Sequence, residues 1–191
     1  MAQVPASYST YGTECRRLFG ASKNRVLVGC DADGLELRCL AGYLHKYDGG
    51  AYAKAAVEGD KDKETDVHSL NRQSLNIQSR DVAKTFFYAF IYGAGDEKLG
   101  KILGKGRAGG KRGRADLLAG ITGLMALTER VKQVFRRRGH LIGLDGRTLT
   151  VRSEHSALNT LLQGAGAILM KKALVTLDRY LQFVGFIPGE D

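Results

Sequence analysis

The chain has 191 residues, of which 43% are hydrophobic and 26% are charged, so it is long enough for one ordinary domain or for part of a larger one. Its 29 lysines and arginines outnumber its 20 aspartates and glutamates, and the net charge of +9 favours a polyanionic partner such as nucleic acid. The three cysteines form no Cys-x-x-Cys pair, which argues against a zinc site or a disulfide framework. No apolar run approaches the roughly 18 residues of a membrane span, and the N-terminus has no signal-peptide pattern, so we expect a cytoplasmic protein without a membrane partner.

The start of the chain predicts a strand, an acidic turn and a helix. Residues 1–24 lack periodicity beyond a short helical turn around residues 14–19. Residues 25–30 form an apolar run of strand length that ends at Asp31, and residues 34–44 then repeat apolar side chains at near-helical spacing. A carboxylate at the carboxyl end of a buried strand is a common metal ligand, whereas an aspartate that caps the next helix is at least as common.

The following region is polar and predicts a short helix and a loop. Residues 51–57 favour a helix, and the charged run at residues 59–64 is typical of a solvated loop. His68 comes after this loop, where a single histidine is usually structural or exposed.

Residues 79–95 predict one helix with a distinctive polar stripe. Ser79 can cap its start, and the glycines at its end supply a stop signal. Steps of four along the helix place basic and aromatic side chains on one side: Arg80, Lys84, Tyr88 and Tyr92. Such a stripe can grip a triphosphate and stack on a base, while a solvated surface helix is an equally good interpretation.

A glycine-rich basic segment occupies residues 95–113. It lacks the GxxxxGK[ST] spacing of a phosphate-binding loop, so a solvated loop is predicted, with a flexible basic segment near nucleic acid as the alternative. Residues 116–138 then predict one helix. Residues 141–152 predict a hairpin because Asp145-Gly146 is a strong turn signal.

A long helix is predicted from residue 153 to about residue 184. Apolar side chains on most of its circumference favour burial inside a larger assembly. Asn159 and Gln163 share one face beside the small residues 164–167. These two side chains either bond to bases or sugars in a minor groove or are satisfied inside a core.

Taken together, these segments resemble the family A DNA polymerases, most closely the replicative polymerases of short-tailed phages. VGCDADGLELR at residues 28–38 resembles motif A of that family, and RDVAKTFFYAFIYGAG at residues 80–95 resembles motif B, the moving helix of the fingers. Residues 66–68 match the segment before motif B, and LDGRTLTVRSEHSALNTLLQGAGA at residues 144–167 matches the palm segment after the fingers.

The resemblance implies an α+β fold, a mostly helical fragment of the right-hand polymerase architecture. It assigns residues 1–46 to a palm segment with motif A, residues 47–140 to the fingers, and residues 141–191 to a palm hairpin and long helix. The implied activity is template-directed DNA synthesis, in which dNTPs are transferred to a primer 3′ end.

The resemblance also implies a role for each matched residue on the nucleotide side. Asp31, helped by the backbone carbonyl of Ala32, would bind two Mg²⁺ ions, and Glu36 would hinder a 2′-hydroxyl on the incoming sugar. The β- and γ-phosphates would be held by His68, Arg80 and the catalytic Lys84, with Tyr88 packed by the sugar and base.

On the DNA side, Tyr92 would stack near the templating position. The primer–template minor groove would be contacted by Arg152, Asn159 and Gln163.

The sequence also departs from the family pattern. Asp33 and Ala89 replace the usual Ser or Gln and the usual Gly, and motif C with its second metal-binding aspartate is not found. We therefore expect the central piece of a split or truncated polymerase, with separate polypeptides that supply the thumb, the exonuclease and motif C. The alternative is a non-catalytic remnant or DNA-binding fragment.

Overall fold

The structure, a computed structural model, describes residues 4–187. The chain divides into two compact units, Met1–Asp33 and Gly34–Asp191. In the first unit, Gly12–Arg17 forms helix α1, close to the helical turn predicted at residues 14–19.

The strand predicted at residues 25–30 is not formed, so that prediction was wrong. Residues 25–33 adopt neither helix nor strand, and Val26 and Val28 are 82% and 90% exposed. An apolar run becomes a strand only when a neighbouring strand accepts its backbone hydrogen bonds, and within this unit no other strand is present among the described residues.

The second unit is a helical body with one small hairpin, so the predicted α+β, mostly helical class is confirmed. Its helices are α2 (Leu35–Asp48), α3 (Ala51–Glu58), α4 (Val67–Leu75), α5 (Arg80–Ile91), α6 (Asp96–Ile102), α7 (Arg107–Gly120), α8 (Leu124–Arg138) and α9 (Ala157–Phe183). Strands β1 (His140–Ile142) and β2 (Thr148–Thr150) precede a short 3-10 turn, Glu154–Ser156.

Helix α5 forms as the sequence predicts and passes through the core of this unit. The Ser79 hydroxyl accepts a 3.3 Å hydrogen bond from the Val82 amide and caps the helix start. Phe86 and Phe87 are fully buried, which fixes the rotation of the helix. The polar stripe of α5 consequently has a defined orientation in the unit.

The segment at residues 95–113 is helical, so its prediction as a solvated loop was wrong. It forms α6 and the first half of α7. A Cβ added to Gly110 would overlap the Asp96 carbonyl, and one added to Gly100 would overlap the Gly106 carbonyl. The glycines therefore allow two helices to pack backbone against backbone, and this packing outweighs their poor helix propensity.

The helix predicted at residues 116–138 is divided in two. Helix α7 ends at Gly120, and α8 begins after Gly123, whose φ is +81°. A left-handed glycine at this point is incompatible with one continuous helix.

The predicted hairpin is confirmed, with shorter strands than expected. Leu141 pairs with Leu149 in an antiparallel register, and the Gly143 amide donates a 2.8 Å hydrogen bond to the Arg147 carbonyl. Gly146 has a φ of +83°, which the tight turn requires.

Helix α9 is buried along its first half only. Leu161, Leu162 and Ala165 pack in the core, whereas Leu174 is 66% and Phe183 is 87% exposed. The predicted burial in a larger assembly stays a prediction for the second half. Within the described part of the chain, no helix combines the length and apolar character that crossing a membrane requires.

Candidate functional site

The centre of the candidate site is the carboxylate of Glu36, in the first turn of α2. The Tyr92 hydroxyl donates a 2.9 Å hydrogen bond to Glu36 Oε1, and the Gln163 amide nitrogen donates a 3.0 Å bond to the same oxygen. Tyr92 ends α5 and Gln163 lies in α9. Three residues singled out from separate segments of the sequence are therefore in direct contact.

The hydroxyl of Tyr92 remains a hydrogen-bond donor over the whole physiological range. Partial burial, followed by the hydrogen bond to Glu36 and its negative charge, raises the pKa of Tyr92 to about 12. Tyr92 is 50% exposed, so part of its surface is accessible to a ligand.

Aromatic rings form a ladder beside this carboxylate. The rings of Tyr88 and Tyr92 are stacked with centroids 6.3 Å apart and an interplanar angle of 27°. The His68 ring is tilted against Tyr88 with the centroids 5.9 Å apart, and the Phe87 ring, which is buried in the core, contacts Tyr88 edge-on. Such a ladder offers aromatic surface to a sugar or a base.

Arg80 is held at the start of α5 by Asp66, a residue that the sequence predictions did not assign to the site. Arg80 Nη2 donates a 2.7 Å hydrogen bond to Asp66 Oδ1, and its Nε donates a 3.3 Å bond to the other oxygen. Asp66 also caps α4, because it accepts bonds from the His68 amide and the Ser69 hydroxyl. The carboxylate thus fixes Arg80 and His68 relative to each other.

The charge of Asp66 is stabilised by these donors. Burial alone raises the pKa of this carboxyl, but the bonds from Arg80, Ser69 and the His68 amide together hold it well below its usual value. An Asp two positions before His68 and just before a helical segment is a capping pattern, and this signal could have identified Asp66 from the sequence.

The remaining predicted residues occupy distinct places. Lys84 is exposed one turn after Arg80, on the same side of α5. Asn159 is partly buried in α9 one turn before Gln163, whereas Arg152 is exposed in the loop after β2. The second unit therefore brings together Glu36, His68, Tyr88, Tyr92 and Gln163, with Arg80 joined to His68 through Asp66.

The predicted metal ligands Asp31 and Ala32 lie in the first unit. Asp31 is exposed, in a stretch without helix or strand. Across residues 4–187, no three His, Cys, Asp or Glu side chains are grouped closely enough to hold a metal ion. Because a divalent cation needs several oxygen ligands, these residues do not form a complete magnesium site by themselves.

Comparison with known proteins identifies relatives of the whole chain. The family model described as DNA polymerase family A matches residues 1–185. The chain is 39% identical to the DNA-directed DNA polymerases of Enterobacteria phage T3 and Escherichia phage T7, with 100% of the chain aligned in both cases. It spans 29% of the length of each of these relatives.

A solved structure has the same fold. It is the POL domain of Pol1 from M. smegmatis, in complex with DNA primer-template and dNTP, and it matches with a TM-score of 0.74 at 17% sequence identity. The match covers 96% of this chain and 35% of the solved one.

Proposed function

The chain belongs to DNA polymerase family A, and on this basis we propose that it provides the nucleotide-selecting part of template-directed DNA synthesis. In this reaction dNTPs are added to the 3′ end of a primer. The observation that carries the proposal is the hydrogen-bonded cluster of Glu36, Tyr92 and Gln163, which unites residues from three motif segments at one surface. The proposed parts are a palm segment at 1–46, the fingers at 47–140, and a palm hairpin with the long helix at 141–191.

The nucleotide would bind along the outer side of α5. Arg80, Lys84 and His68 would hold the β- and γ-phosphates, since cations one turn apart suit a polyphosphate. Arg80 uses two N–H groups on Asp66 and has further N–H groups for phosphate oxygens. Tyr88 would pack against the sugar and base, and Glu36 would oppose a 2′-hydroxyl.

The primer–template would lie next to this nucleotide. Tyr92 would stack near the templating base, a role that fits a ring with one face on Tyr88 and half of its surface exposed. Arg152, Asn159 and Gln163 would contact the minor groove. The solved M. smegmatis relative binds primer-template and dNTP, which supports these two ligands for the present chain.

The metal chemistry would need ligands beyond those that the described residues supply. Asp31 and the Ala32 carbonyl would supply ligands for Mg²⁺, and a further carboxylate from outside residues 4–187 would complete the set. Mg²⁺ would activate the primer 3′-hydroxyl and offset charge on the reacting phosphate. We place this assembly in the cytoplasm of a phage-infected host.

A second candidate is a DNA-binding fragment without catalysis. The net charge of +9 and the incomplete set of metal ligands among residues 4–187 favour this reading. It shares the DNA interface with the first candidate but lacks any role for Asp31.

Primer extension distinguishes the two candidates. These 191 residues alone should give no Mg²⁺-dependent extension of a labelled primer, and adding a polypeptide that carries a motif C carboxylate should restore it. Asp31→Ala should abolish the restored activity, while Asp62→Ala in an exposed loop should not. Extension by the chain alone would contradict the shared-site proposal. Binding of primer–template without restored extension would favour the DNA-binding fragment.

A further inference from the structure

The turn that ends α5 is held by a side chain from α7. Arg114 Nη2 donates a 2.6 Å hydrogen bond to the Ala94 carbonyl, and its Nε donates a 2.7 Å bond to Asp96 Oδ1. The guanidinium also lies over the Phe90 ring, 5.7 Å from its centroid. Because the Arg114 and Asp96 side chains are only 31% and 26% exposed, these charge-assisted bonds are partly shielded from water.

Backbone hydrogen bonds also close the end of α5 at this turn. Gly93 and Gly95 flank Ala94, and a Cβ added to Gly95 would meet no atom within 4 Å. Just beyond α5, the Ala94 amide donates to the Ala89 carbonyl and the Gly93 amide donates to the Phe90 carbonyl. These two bonds form the Schellman arrangement, which closes the helix end. Beyond it, Gly93 and Gly95 have no side chains that could fix the direction of the chain.

The residue immediately before this turn is Tyr92. It is the C-cap of α5, with a backbone close to the helical region at φ −80° and ψ 7°. Its hydroxyl reaches Glu36 at 2.9 Å only while the end of α5 keeps this conformation. Arg114 is thus linked through Ala94 to the aromatic ring that faces the proposed template.

We propose that Arg114 is a positioning residue for Tyr92: it locks the turn after α5 and thereby places the Tyr92 ring on Tyr88 and its hydroxyl on Glu36. A lysine would not replace it, because one ammonium group cannot reproduce the planar fork that serves Ala94 and Asp96 together. The effect of Arg114 on template reading rests on the proposed function, whereas its effect on Tyr92 does not.

The first test measures the turn without any ligand. In Arg114→Ala, amide hydrogen exchange at Gly93 and Ala94 should accelerate about tenfold or more, since the turn loses two charge-assisted bonds. The Tyr92 ring carbon signals, read by NMR on ¹³C-tyrosine protein, should move towards those of an exposed tyrosine. Arg114→Lys should lie between wild type and Arg114→Ala.

The matched control is Arg112→Ala on the same helix. The Arg112 side chain is 85% exposed and its nearest acidic atom is 3.9 Å away, so its loss should change neither readout. Equal exchange rates in the two alanine variants would overturn the proposal. Faster amide exchange at Gly93 and Ala94 with unchanged Tyr92 signals would also overturn it. If Arg114→Ala lacks the wild-type circular dichroism spectrum, Arg114→Lys and Arg112→Lys are compared by the same criteria.

The second test concerns the template. With 2-aminopurine as the templating base, Arg114→Ala should lose most of the fluorescence quenching by Tyr92 while its affinity for the duplex stays within about twofold of wild type. Unchanged quenching would overturn the role in template reading. If wild type binds no primer–template at all, the proposed function fails, but exchange and the Tyr92 signals still decide whether Arg114 positions Tyr92.

Discussion

Tyr92 and Glu36 are 56 positions apart in the sequence, yet the tyrosine hydroxyl donates a 2.9 Å hydrogen bond to the carboxylate. The bond connects the end of α5 to the first turn of α2, so it depends on how these helices pack. It also defines one arrangement of the candidate site, in which the Glu36 carboxylate is already engaged by protein donors before any sugar arrives.

This bond makes the stability of the protein depend on alkaline pH. The pKa of Tyr92 is raised to about 12, above its ordinary value of 10.0, so the stabilisation is complete below pH 10 and is lost as the pH rises through 12. The free energy of unfolding of wild type should therefore fall more steeply above pH 10 than that of Tyr92→Phe. Urea titrations at several pH values measure this difference, and parallel curves would refute it.

Asp66 should give the opposite dependence in acid. Folding lowers the pKa of Asp66 below its ordinary value of 3.8. The ionised carboxylate therefore stabilises the folded state fully above pH 4, and this stabilisation is lost as the pH falls towards the folded-state pKa. Asp66→Asn should lower the free energy of unfolding at pH 7 by about 2 kcal/mol and flatten its acid dependence. Asp81→Asn, an exposed first-turn change in α5, serves as the control and should cost less than about 1 kcal/mol.

Two glycine substitutions, one at the contact between α6 and α7 and one at an open position of α2, should change the stability of the protein in opposite directions. Gly110→Ala should lower the free energy of unfolding by about 3 kcal/mol because its methyl group would overlap the Asp96 carbonyl. Gly42→Ala, at an exposed position of α2 with no atom within 4 Å of the added methyl group, should raise it by about 0.5–1 kcal/mol. Thermal unfolding followed by circular dichroism compares the two, and equal destabilisation would contradict the packing argument.

Lys84 should matter for nucleotide binding and not for folding. Its side chain is exposed on α5, so Lys84→Ala should leave the melting temperature unchanged while weakening dNTP binding to the primer–template complex about tenfold. Lys172→Ala removes the same charge from the exposed half of α9 and should have no effect on affinity. Titration calorimetry with a complementary dNTP measures both, and equal affinities for the two variants would exclude Lys84 from the phosphate site.

Local signals in the sequence predicted several elements well. The Ser79 cap, the four-residue stripe and the terminal glycine located α5, and Asp145-Gly146 located the hairpin. These features depend on neighbouring residues, for which capping, turn geometry and helical spacing are sufficient. The α+β class followed from the same signals and from the family resemblance.

Features that depend on distant packing were missed. The apolar run at residues 25–30 has strand composition but no neighbouring strand in its own unit, among the residues that the structure describes. The glycines of α6 and α7 lower the local helix propensity. Their presence is explained by the close packing of the two helices, in which Gly110 of α7 meets the Asp96 carbonyl of α6. In the candidate site, the sequence marks Asp66 only as a cap of α4, whereas its bond to Arg80 on the next helix depends on how α4 and α5 pack.

The backbone contact between Gly110 and Asp96 has a consequence for how this region can vary. Mutational scanning of the glycine-rich segment at residues 95–113 should find the lowest tolerance to substitution at Gly100 and Gly110, where the two helices touch. The exposed cations between them, such as Lys111 and Arg112, should accept almost any polar residue without loss of folding. Tolerance would then follow the helical spacing of α7, low at the buried Gly110 and Gly113 and high at the two exposed cations between them.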